Sequence, residues 1–405
     1  MIPAHAVVKS RMRILHVVPT YLPATRYGGP SFAVHGLCRS LAARGHHVEV
    51  FTTNVDGPTN SAAPLSVPVP FDGVHVRYFP SKVLRRLFWS PPLARALRAD
   101  RVGFDLVHLH SVFLWPTWAA ARWSRKSQIP YLISPRGMLI KDLIKRRNRL
   151  IKSAWIEFIE RENLERASGI HVTSELEREE LQQFGWHLPP ITTIPNGIDD
   201  IEAFSTEDVA TDIREVAANR PFVLFFGRIS WKKGLDRLLN AFVRTHLGNL
   251  VIVGPDDELL TFRLMQRARD LQITDRVQFL TRTVVGADKD YLYRSATLLA
   301  LPSLSENFGN VVLEAMQRSL PVVVTPEVGA AEVVLESGGG LVVSGEPEPL
   351  ATAMSRLMAD PALARSLGAA GQRHVVAHYT WARLADTMEA LYQRLGHTRF
   401  DQLAK

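Results

Sequence analysis

The sequence has a single cysteine and no long apolar run, and both features narrow the possible classes of protein. Cys38 is the only cysteine among the 405 residues, so an intrachain disulfide is excluded and a reducing cytoplasm is favoured. No apolar stretch approaches the roughly 20 residues that a membrane-spanning helix needs. Basic residues before Ile14 suggest a signal peptide, but the apolar run after them is short and soon meets proline. Residues 1–11 are therefore expected to be a loose extension, with Met12 as an alternative start.

Signals for a dinucleotide cofactor or a bound metal are also missing. A nicotinamide dehydrogenase would need Gly-x-Gly-x-x-Gly after its first strand, and neither Gly28-Gly29 nor Gly227 provides this spacing. His108 and His110 would share one face of a strand, as a metal-binding pair does, yet no third ligand is suggested nearby. We therefore expect neither a cofactor nor a metal ion.

The chain is basic, and part of its positive charge is concentrated. The formal net charge is +8, and basic residues alternate with apolar and aromatic ones over residues 141–158 and again over 84–89. Such segments can lie on an anionic membrane surface or bind nucleic acid. They can equally be ordinary amphipathic helices with a solvated basic face. Because no nucleic-acid-binding module is recognisable, we expect no nucleic-acid partner and prefer a membrane surface among the functional interpretations.

Strands and helices alternate along the chain, which predicts an α/β fold with two parallel sheets. In the first half, strands are expected at residues 12–18, 47–53, 74–79, 105–109, 130–134, 169–173 and 191–194. In the second half, they are expected at residues 222–227, 249–253, 276–280, 297–301, 321–324 and 340–343. The polar stretch from Asn196 to Arg220 separates the two sets and is expected to be a linker, so the chain should form two domains.

The most informative segment is Glu306-Asn307-Phe308-Gly309-Asn310, which continues to Glu314. It follows a predicted buried strand, and Gly309 is expected to open an apolar-periodic helix. Glu306 would then lie on the loop before the helix, with Glu314 one to two turns inside it. The unpaired amides and the dipole of the first turn favour an anion in the space between the two carboxylates. A ligand with hydroxyls at both ends and phosphates between them, such as a nucleotide sugar, suits this arrangement.

Other polar groups and glycines also follow predicted strands, where doubly wound sheets bind ligands. Paired glycines, Gly28 and Gly29, precede a helix and would let a ligand approach the backbone closely. His110 is placed to hydrogen-bond a ligand hydroxyl, and Arg136 either touches an acceptor or braces a loop. In the second half, such positions are held by Arg228, Lys233 and Gly254. Two cations there would neutralise a diphosphate leaving group as its charge grows.

Taken together, these motifs resemble the family 4 retaining glycosyltransferases of the GT-B fold, also described as glycosyl transferases group 1. The resemblance covers nearly the whole chain and rests on Gly28-Gly29, His110, Val172 to Glu175, Ile194 to Asp199, Gly227-Arg228, Lys233-Gly234 and Glu306 to Glu314. It implies two Rossmann-like doubly wound domains that face each other across a cleft. The first, acceptor-side domain would span residues 1–198 and be completed by a C-terminal helix at about 379–400. The second, nucleotide-sugar-binding domain would span residues 199–378.

The resemblance also implies roles for individual residues. The diphosphate would be bound by Arg228 and Lys233, although Lys232 leaves open which lysine reaches the phosphate. Glu314 would bind the ribose hydroxyls, and Glu306 would hold the sugar ring. The donor site would be completed by Asn307, Phe308, Gly309, Asn310 and Gly254, with Gly28 and Gly29 facing the phosphates from the other domain. His110 would contact the sugar near the reaction centre. Arg136 is not among the positions that carry the resemblance, and its place at a strand end alone makes it a candidate for the acceptor part of the cleft.

The implied reaction is metal-independent transfer of a sugar, with retention of configuration, from a nucleotide-diphosphate sugar to a glycan or lipid-linked acceptor. We expect this enzyme in the cytoplasm, at the inner face of the membrane if the basic segments bind lipid, in the assembly of cell-surface polysaccharide. Asp288-Lys289-Asp290 imitates the Asp-x-Asp metal signature of some sugar transferases, but no predicted strand lies beside it. The alternative is a nucleotide-sugar epimerase of the same fold, which needs no acceptor.

Overall fold

The computed structural model describes residues 11–26, 28–100, 103–140, 155–218 and 221–403, with side chains described as far as residue 396. The chain divides into two compact units. The first unit comprises Met1–Ile194 together with Trp381–Lys405, and the second comprises Pro195–Thr380. The second unit therefore begins a few residues earlier than the division expected after residue 198. Among the described residues, no helix is both long enough and apolar enough to cross a bilayer.

The strands of the first unit are β1 (Arg13–Val17), β2 (His47–Thr53), β3 (Val55–Asp56), β4 (Thr59–Asn60), β5 (Pro68–Phe71), β6 (Val74–Phe79), β7 (Leu106–His110), β8 (Tyr131–Ser134), β9 (Gly169–Val172) and β10 (Ile191–Thr193). Those of the second unit are β11 (Phe222–Phe226), β12 (Asn249–Val253), β13 (Val277–Leu280), β14 (Leu298–Leu301), β15 (Val322–Val324) and β16 (Gly340–Val342). All the strands expected from the sequence are confirmed, each within one residue at either end. The short strands β3, β4 and β5 were not expected.

The helices in chain order are α1 (Gly29–Ala43), α2 (Pro91–Ala99), α3 (Trp115–Lys126), α4 (Arg161–Glu165), α5 (Glu175–Gln182), α6 (Thr211–Ala218), α7 (Leu235–Phe242), α8 (Thr261–Asp270), α9 (Gly286–Ser295), α10 (Asn310–Gln317), α11 (Ala331–Ser337), α12 (Pro347–Ala359), α13 (Pro361–His378) and α14 (Trp381–Leu403). Short 3₁₀ turns lie at Arg85–Leu87, Thr206–Asp208, Trp231–Lys233 and Thr274–Arg276, and a π turn lies at Ile156–Glu160.

In the first unit, eight of the described strands form one sheet in the order β10-β9-β8-β7-β1-β2-β6-β5. All its neighbouring pairs are parallel except β5 and β6. One apolar cluster joins the sheet to α1 and α14, and a second joins it to α2, α3, α4 and α5. Helices therefore cover both faces, which is why the central strands read as continuous apolar runs. The strand order reverses at β1, so the loops at the carboxyl ends of β1 and β7 are where a ligand is expected.

The second unit repeats this architecture. Its six described strands are all parallel, in the order β13-β12-β11-β14-β15-β16. The first strand, β11, lies between β12 and β14, and the order reverses there. The loops that follow β11 and β14 are consequently neighbours at the carboxyl edge, and they contain Lys233 and Glu306.

The C-terminal helix α14 belongs to the first unit and packs on α1. Gly36 of α1 makes this close approach possible, because a Cβ there would lie 2.2 Å from the indole Nε1 of Trp381. Arg44 Nε donates to Asp386 Oδ1 at 3.2 Å, and Tyr392 is fully buried in the shared core. The C-terminal helix of the first domain therefore completes its core as well as covering the sheet.

Candidate active site

Two glycines allow the loops after β11 and β12 to pack tightly. Gly227 and Gly254 have φ angles of 147° and 143°, a region that side chains rarely adopt. A Cβ on Gly254 would lie 2.0 Å from the carbonyl oxygen of Gly227. Gly254, which the sequence placed at the edge of the donor site, therefore has a packing role at this edge.

The loop that carries Lys233 is clamped to the loop after β14. The 3₁₀ turn Trp231–Lys233 ends at Gly234, which has a φ of 66°. A Cβ on Gly234 would lie 2.0 Å from the carbonyl oxygen of Pro302, and Leu304 N donates to Lys232 O at 2.7 Å. The clamp brings Lys233 Nζ into an ion pair with Glu306 Oε2. Lys233, rather than Lys232, is thus the lysine that makes the recorded contact with Glu306.

Glu306 lies on the loop before α10, and the loop is held by backbone hydrogen bonds on both sides. Its N–H donates to Glu327 O at 2.9 Å, and its carbonyl accepts from Gly329 N at 2.9 Å. Gly309, with a φ of 91°, caps α10 at its N-terminus. The prediction that Gly309 opens the helix is confirmed. Glu306 therefore stands before the first turn, and Glu314 stands within α10.

Side-chain amides attach the segment after residue 195 to α10. Asn196 Nδ2 donates to Asn310 Oδ1 at 2.9 Å, and Gln317 Nε2 donates to Asp199 O at 2.7 Å. The side chain of Asn310 is therefore engaged within the unit, while Phe308 is buried in the core and Asn307 is partly exposed. Arg228 is exposed, and it forms no hydrogen bond or ion pair with any residue that the structure describes. Its guanidinium stands open to solvent on the loop after β11.

The carboxylate of Glu314 has two donors from α9. Lys289 Nζ lies 2.8 Å from Oε1, and the Tyr293 hydroxyl donates to Oε2 at 3.0 Å. Burial opposes the charged form, but the cation and hydrogen bond of Lys289 and the hydrogen bond of Tyr293 prevail, so the pKa of Glu314 lies below its ordinary value. Burial and the neighbouring Glu314 charge raise the pKa of Tyr293 well above its ordinary value, which keeps its hydroxyl a donor. Glu314 is thus a fixed, ionised acceptor.

The two aspartates that flank Lys289 are both paired with arginine. Asp288 accepts from Ala210 N at 2.8 Å and from Arg282 at 3.2 Å. Asp290 accepts from Arg294 at 2.6 Å and from Arg318 at 2.7 Å. Arginine side chains neutralise both carboxylates. This agrees with the interpretation that the likeness to Asp-x-Asp is coincidental. Lys289 itself was not expected to have a functional role, because it appeared only as the middle residue of this tripeptide.

In the first unit, Gly28 precedes α1 with a φ of 70°, and α1 begins at Gly29. No atom of the described residues lies within 4 Å of where a Cβ on Gly28 would be, so the backbone here faces open space. This is the environment expected of a glycine pair that a ligand approaches.

His110 is buried, and both of its ring nitrogens are engaged. Arg136 Nη2 lies 3.2 Å from Nδ1, and His16 Nδ1 lies 2.9 Å from Nε2. Arginine can only donate, so Nδ1 accepts and the neutral ring donates its Nε2–H to His16. A ligand that bonded to His110 Nδ1 would have to displace Arg136, which is partly exposed. Arg136 therefore lies between His110 and any ligand that binds at this nitrogen.

Four further buried side chains form a second hydrogen-bonded chain, which contacts the first through the rings of His108 and His110. The carbonyl of Ile194 can only accept, so His171 Nε2 donates to it at 2.8 Å, and Ser134 Oγ donates to His171 Nδ1 at 2.7 Å. Ser134 Oγ accepts in turn from His108 Nε2 at 2.7 Å, and the Tyr392 hydroxyl donates to His108 Nδ1 at 2.6 Å. Every ring is neutral in this assignment, and the chain joins α14 to the last residue of the first segment.

The expectation that no third imidazole lies near His108 and His110 is wrong. His16 comes from the neighbouring strand, and one ring nitrogen from each of the three residues lies within 4.8 Å of the others. Zinc would need unshared ring lone pairs directed at one point. Here the hydrogen bonds occupy those lone pairs, and the Arg136 cation lies close by. The arrangement is a hydrogen-bonded core, and the expected absence of a metal stays a prediction.

The structure describes only part of the first basic segment and all of the second. Residues 141–154 lie outside the described residues, so the proposed surface over 141–158 is described only in its last part, where Phe158 is 77% exposed. In the other segment, Arg85 is partly exposed, but its guanidinium is engaged by acceptors within the unit. Its guanidinium donates to carbonyl oxygens of Gly57, Thr59 and Ser81 and to Asn60 Oδ1. Arg85 is therefore a brace for the β3–β4 hairpin.

Solved structures with this architecture define the fold class. Sucrose-phosphate synthase from Thermosynechococcus elongatus superposes with a TM-score of 0.75 at 24% identity, over 96% of this chain and 100% of that one. The Anabaena protein HepE, in complex with UDP and glucose, gives a TM-score of 0.73 at 19% identity, over 95% and 100% of the two chains. The fold is GT-B, as the sequence predicted.

Sequence comparison identifies the family. Residues 28–197 match the glycosyl transferase 4-like domain, and residues 209–374 match glycosyl transferases group 1. The D-inositol 3-phosphate glycosyltransferase of Kineococcus radiotolerans is 29% identical over 94% of this chain and 94% of its own length. The chain belongs to the group 1 glycosyltransferases, and the resemblance drawn from its motifs is confirmed.

The buried histidines make the stability of the first unit depend on pH. Burial, followed by the charge of Arg136, lowers the pKa of His16 and His171 to about 3, and burial lowers those of His108 and His110 well below the ordinary value. Below the ordinary histidine pKa of 6.5, the unfolded chain binds protons that the folded chain does not. The free energy of unfolding should therefore decrease as the pH is lowered below 6.5, by about 1.4 kcal/mol per pH unit for each histidine.

Urea unfolding followed by tryptophan fluorescence between about pH 7 and pH 5 tests this prediction. Fluorescence reports mainly on the first unit, because Trp231 is the only tryptophan in the second. His171→Gln should reduce the dependence of the unfolding free energy on pH by the contribution of one histidine. His187→Gln, which removes an exposed histidine outside the network, is the control. An unaltered slope in His171→Gln would contradict the assignment.

Proposed function

We propose that the protein transfers a sugar from a nucleotide-diphosphate sugar to a hydroxyl of a glycan or lipid-linked acceptor, with retention of anomeric configuration and without a metal ion. The observation that carries this proposal is the grouping of Lys233, Glu306 and Glu314 around the first turns of α10. The carboxylates of Glu306 and Glu314 would accept hydroxyls, and the first turn of α10 between them would bind an anion. The structure of the same fold that contains UDP and glucose supports this choice of ligand class.

The cations are the groups that would hold the diphosphate. Lys233 lies beside the start of α10, and Arg228 is exposed on the same loop. Charge-assisted hydrogen bonds and the amides of the first turn of a helix favour phosphate oxygens. As the bond to the sugar breaks, negative charge grows on the leaving diphosphate, and these donors stabilise it most at that point.

Glu306 would bind sugar hydroxyls rather than attack the anomeric carbon. Its carboxylate is paired with Lys233, and its place before the anion-binding turn sets it beside the sugar. In the proposed step, the acceptor oxygen bonds to the anomeric carbon on the face that the diphosphate leaves. The acceptor proton passes to the departing diphosphate oxygen. The enzyme would contribute positioning and charge stabilisation.

The first unit would bind the acceptor side of the reaction. Gly28 offers open backbone directly before α1, which begins at Gly29, and this suits the approach of phosphate oxygens. Arg136 is partly exposed above the buried imidazoles and is the group of this network that an acceptor would meet first, with His110 behind it.

Removal of Lys233 should abolish most of the affinity for nucleotide. A hydrogen bond to a charged group contributes about 1.5–3 kcal/mol, so Lys233→Ala should weaken the binding of UDP or of the preferred nucleoside diphosphate roughly 10- to 150-fold. Thermal shift with and without EDTA measures this, because a ligand that binds the folded state raises its melting temperature.

Lys232→Ala is the matched control, since it removes the neighbouring cation and should keep the shift. Glu314→Ala should also weaken nucleotide binding. A shift that survives in Lys233→Ala, or that EDTA removes, would contradict the assignment of the site.

The reaction itself is tested by comparing the donor sugar alone with the donor plus candidate acceptors. Transfer predicts a product only when an acceptor is present, with the anomeric configuration of the donor by NMR. Glu306→Ala should slow transfer strongly while nucleotide binding changes less, because Glu306 contacts the sugar. Isomerisation of the sugar nucleotide without acceptor would instead establish the epimerase-like alternative, and an inverted product would refute retention.

A surface of the first unit favours an acceptor at an anionic membrane, in the cytoplasm at its inner face. Val83 and Leu84 are each 59% exposed, and exposed Lys82 and Arg86 flank them. Apolar side chains between cations match the interface of an anionic bilayer, where each basic residue near the surface contributes about 1 kcal/mol. A lipid-linked acceptor of cell-surface polysaccharide assembly would be presented there.

Sedimentation with vesicles that contain phosphatidylglycerol tests this surface. The wild type should bind at low salt and less at higher salt, and the double variant Val83→Ser and Leu84→Ser should lose most of this binding. Leu259→Ser, at an 85% exposed site in the second unit, is the control and should bind normally. Equal binding of the double variant and the control would exclude this loop as the contact.

A further inference from the structure

Lys289 occupies a place that the proposed function leaves unexplained. It is the middle residue of Asp288-Lys289-Asp290 on α9. Its ammonium group pairs with Glu314 Oε1, at 2.8 Å, rather than with either neighbouring aspartate. Its Nζ also lies 5.6 Å from the centre of the Phe226 ring at the end of β11. Both contacts direct the lysine toward the carboxyl edge of the sheet, where the candidate site lies.

The neighbours of Lys289 hold it and Glu314 in one arrangement. The rings of Phe226 and Tyr293 stack with centroids 5.3 Å apart, and Tyr293 is fully buried. The Arg318 guanidinium lies 5.4 Å from the centre of the Tyr293 ring and donates to the backbone carbonyl of Glu314 at 3.1 Å. The carboxylate therefore has little freedom to rotate.

The lone pairs that remain on the carboxylate oxygens of Glu314 determine how many ligand hydroxyls this side chain can accept. An ionised carboxylate has about four lone-pair positions, two on each oxygen. Lys289 uses one on Oε1, and Tyr293 uses one on Oε2. Two positions, one on each oxygen, are left by these two contacts. Such a pair accepts two hydroxyls on neighbouring carbon atoms better than it accepts one.

We infer that Lys289 and Tyr293 are positioning residues that make Glu314 select a ligand with two adjacent hydroxyls, so that the site takes ribonucleotides and rejects their 2′-deoxy counterparts. This inference rests on the proposed function and names the specificity of the same donor site. Lys289 also neutralises a carboxylate that would otherwise repel the diphosphate of the ligand. One lysine thus allows a carboxylate and an anionic ligand to occupy the same site.

The test compares UDP, GDP and ADP with their 2′-deoxy forms by calorimetry and then uses the tightest pair. The wild type should bind the ribonucleotide at least about tenfold more tightly, because the 2′-deoxy form leaves one charged acceptor position unfilled. In Lys289→Met and in Tyr293→Phe, this ratio should fall to within about threefold. A residue with a purely structural role would weaken both ligands equally and leave the ratio unchanged.

Two control variants on the same helix match these changes. Arg294→Met removes a cation that contacts Asp290 and not Glu314, and Tyr291→Phe removes a hydroxyl from a partly exposed ring. Both should keep the wild-type ratio. If the wild type binds ribonucleotides but does not discriminate, or if Lys289→Met keeps the full ratio, the inference fails and the proposed function stands. If no ribonucleotide binds the wild type, both fail together.

Discussion

The candidate donor site depends on the clamp between the loops after β11 and β14. Gly234 can lie against the carbonyl of Pro302 only because it has no side chain, and the Leu304 N–H closes the contact on Lys232. This packing places the ammonium of Lys233 beside the carboxylate of Glu306. The parallel topology makes it possible, because β11 and β14 are neighbours although many residues separate them. A clamped loop loses little further conformational freedom when a ligand binds.

The two units share an architecture but differ in the charge of the polar side chains at the carboxyl edge of the sheet. In the second unit, charged side chains stand at the edge of the sheet as matched pairs, Lys233 with Glu306 and Lys289 with Glu314. In the first unit, the polar groups at the corresponding edge are neutral imidazoles, buried and linked by hydrogen bonds, with Arg136 as the cation beside them. Neutral imidazoles cost less to bury than charged ones. At this edge of the first unit, the Arg136 guanidinium therefore lies beside neutral imidazoles, with the buried Glu177 carboxyl close enough to act on it electrostatically.

Local patterns in the sequence predicted most of the fold but only part of the site. The parallel strands could be read because burial on both faces makes them short apolar runs, and Gly309 marked the start of α10. Strand β5 could not, since it contains Pro68 and Pro70 and is tolerated only as an antiparallel edge strand. His16 and Lys289 were missed because their partners come from elements distant in sequence. Spacing along one element carries no information about such contacts.

Under the proposed function, ligand binding is an exchange of partners, because Lys233 and Glu306 are paired with each other. Lys233 and Glu306 neutralise each other before a ligand arrives, so neither charge alone attracts strongly. A diphosphate without a sugar would draw Lys233 away and leave Glu306 with no donor. A sugar without a diphosphate would offer hydroxyls to Glu306 but nothing to Lys233. Only a ligand with both groups satisfies both partners, because an unpaired, partly buried charge costs free energy. Under the proposed function, the pairing would therefore favour an intact nucleotide sugar over its sugar or its diphosphate alone.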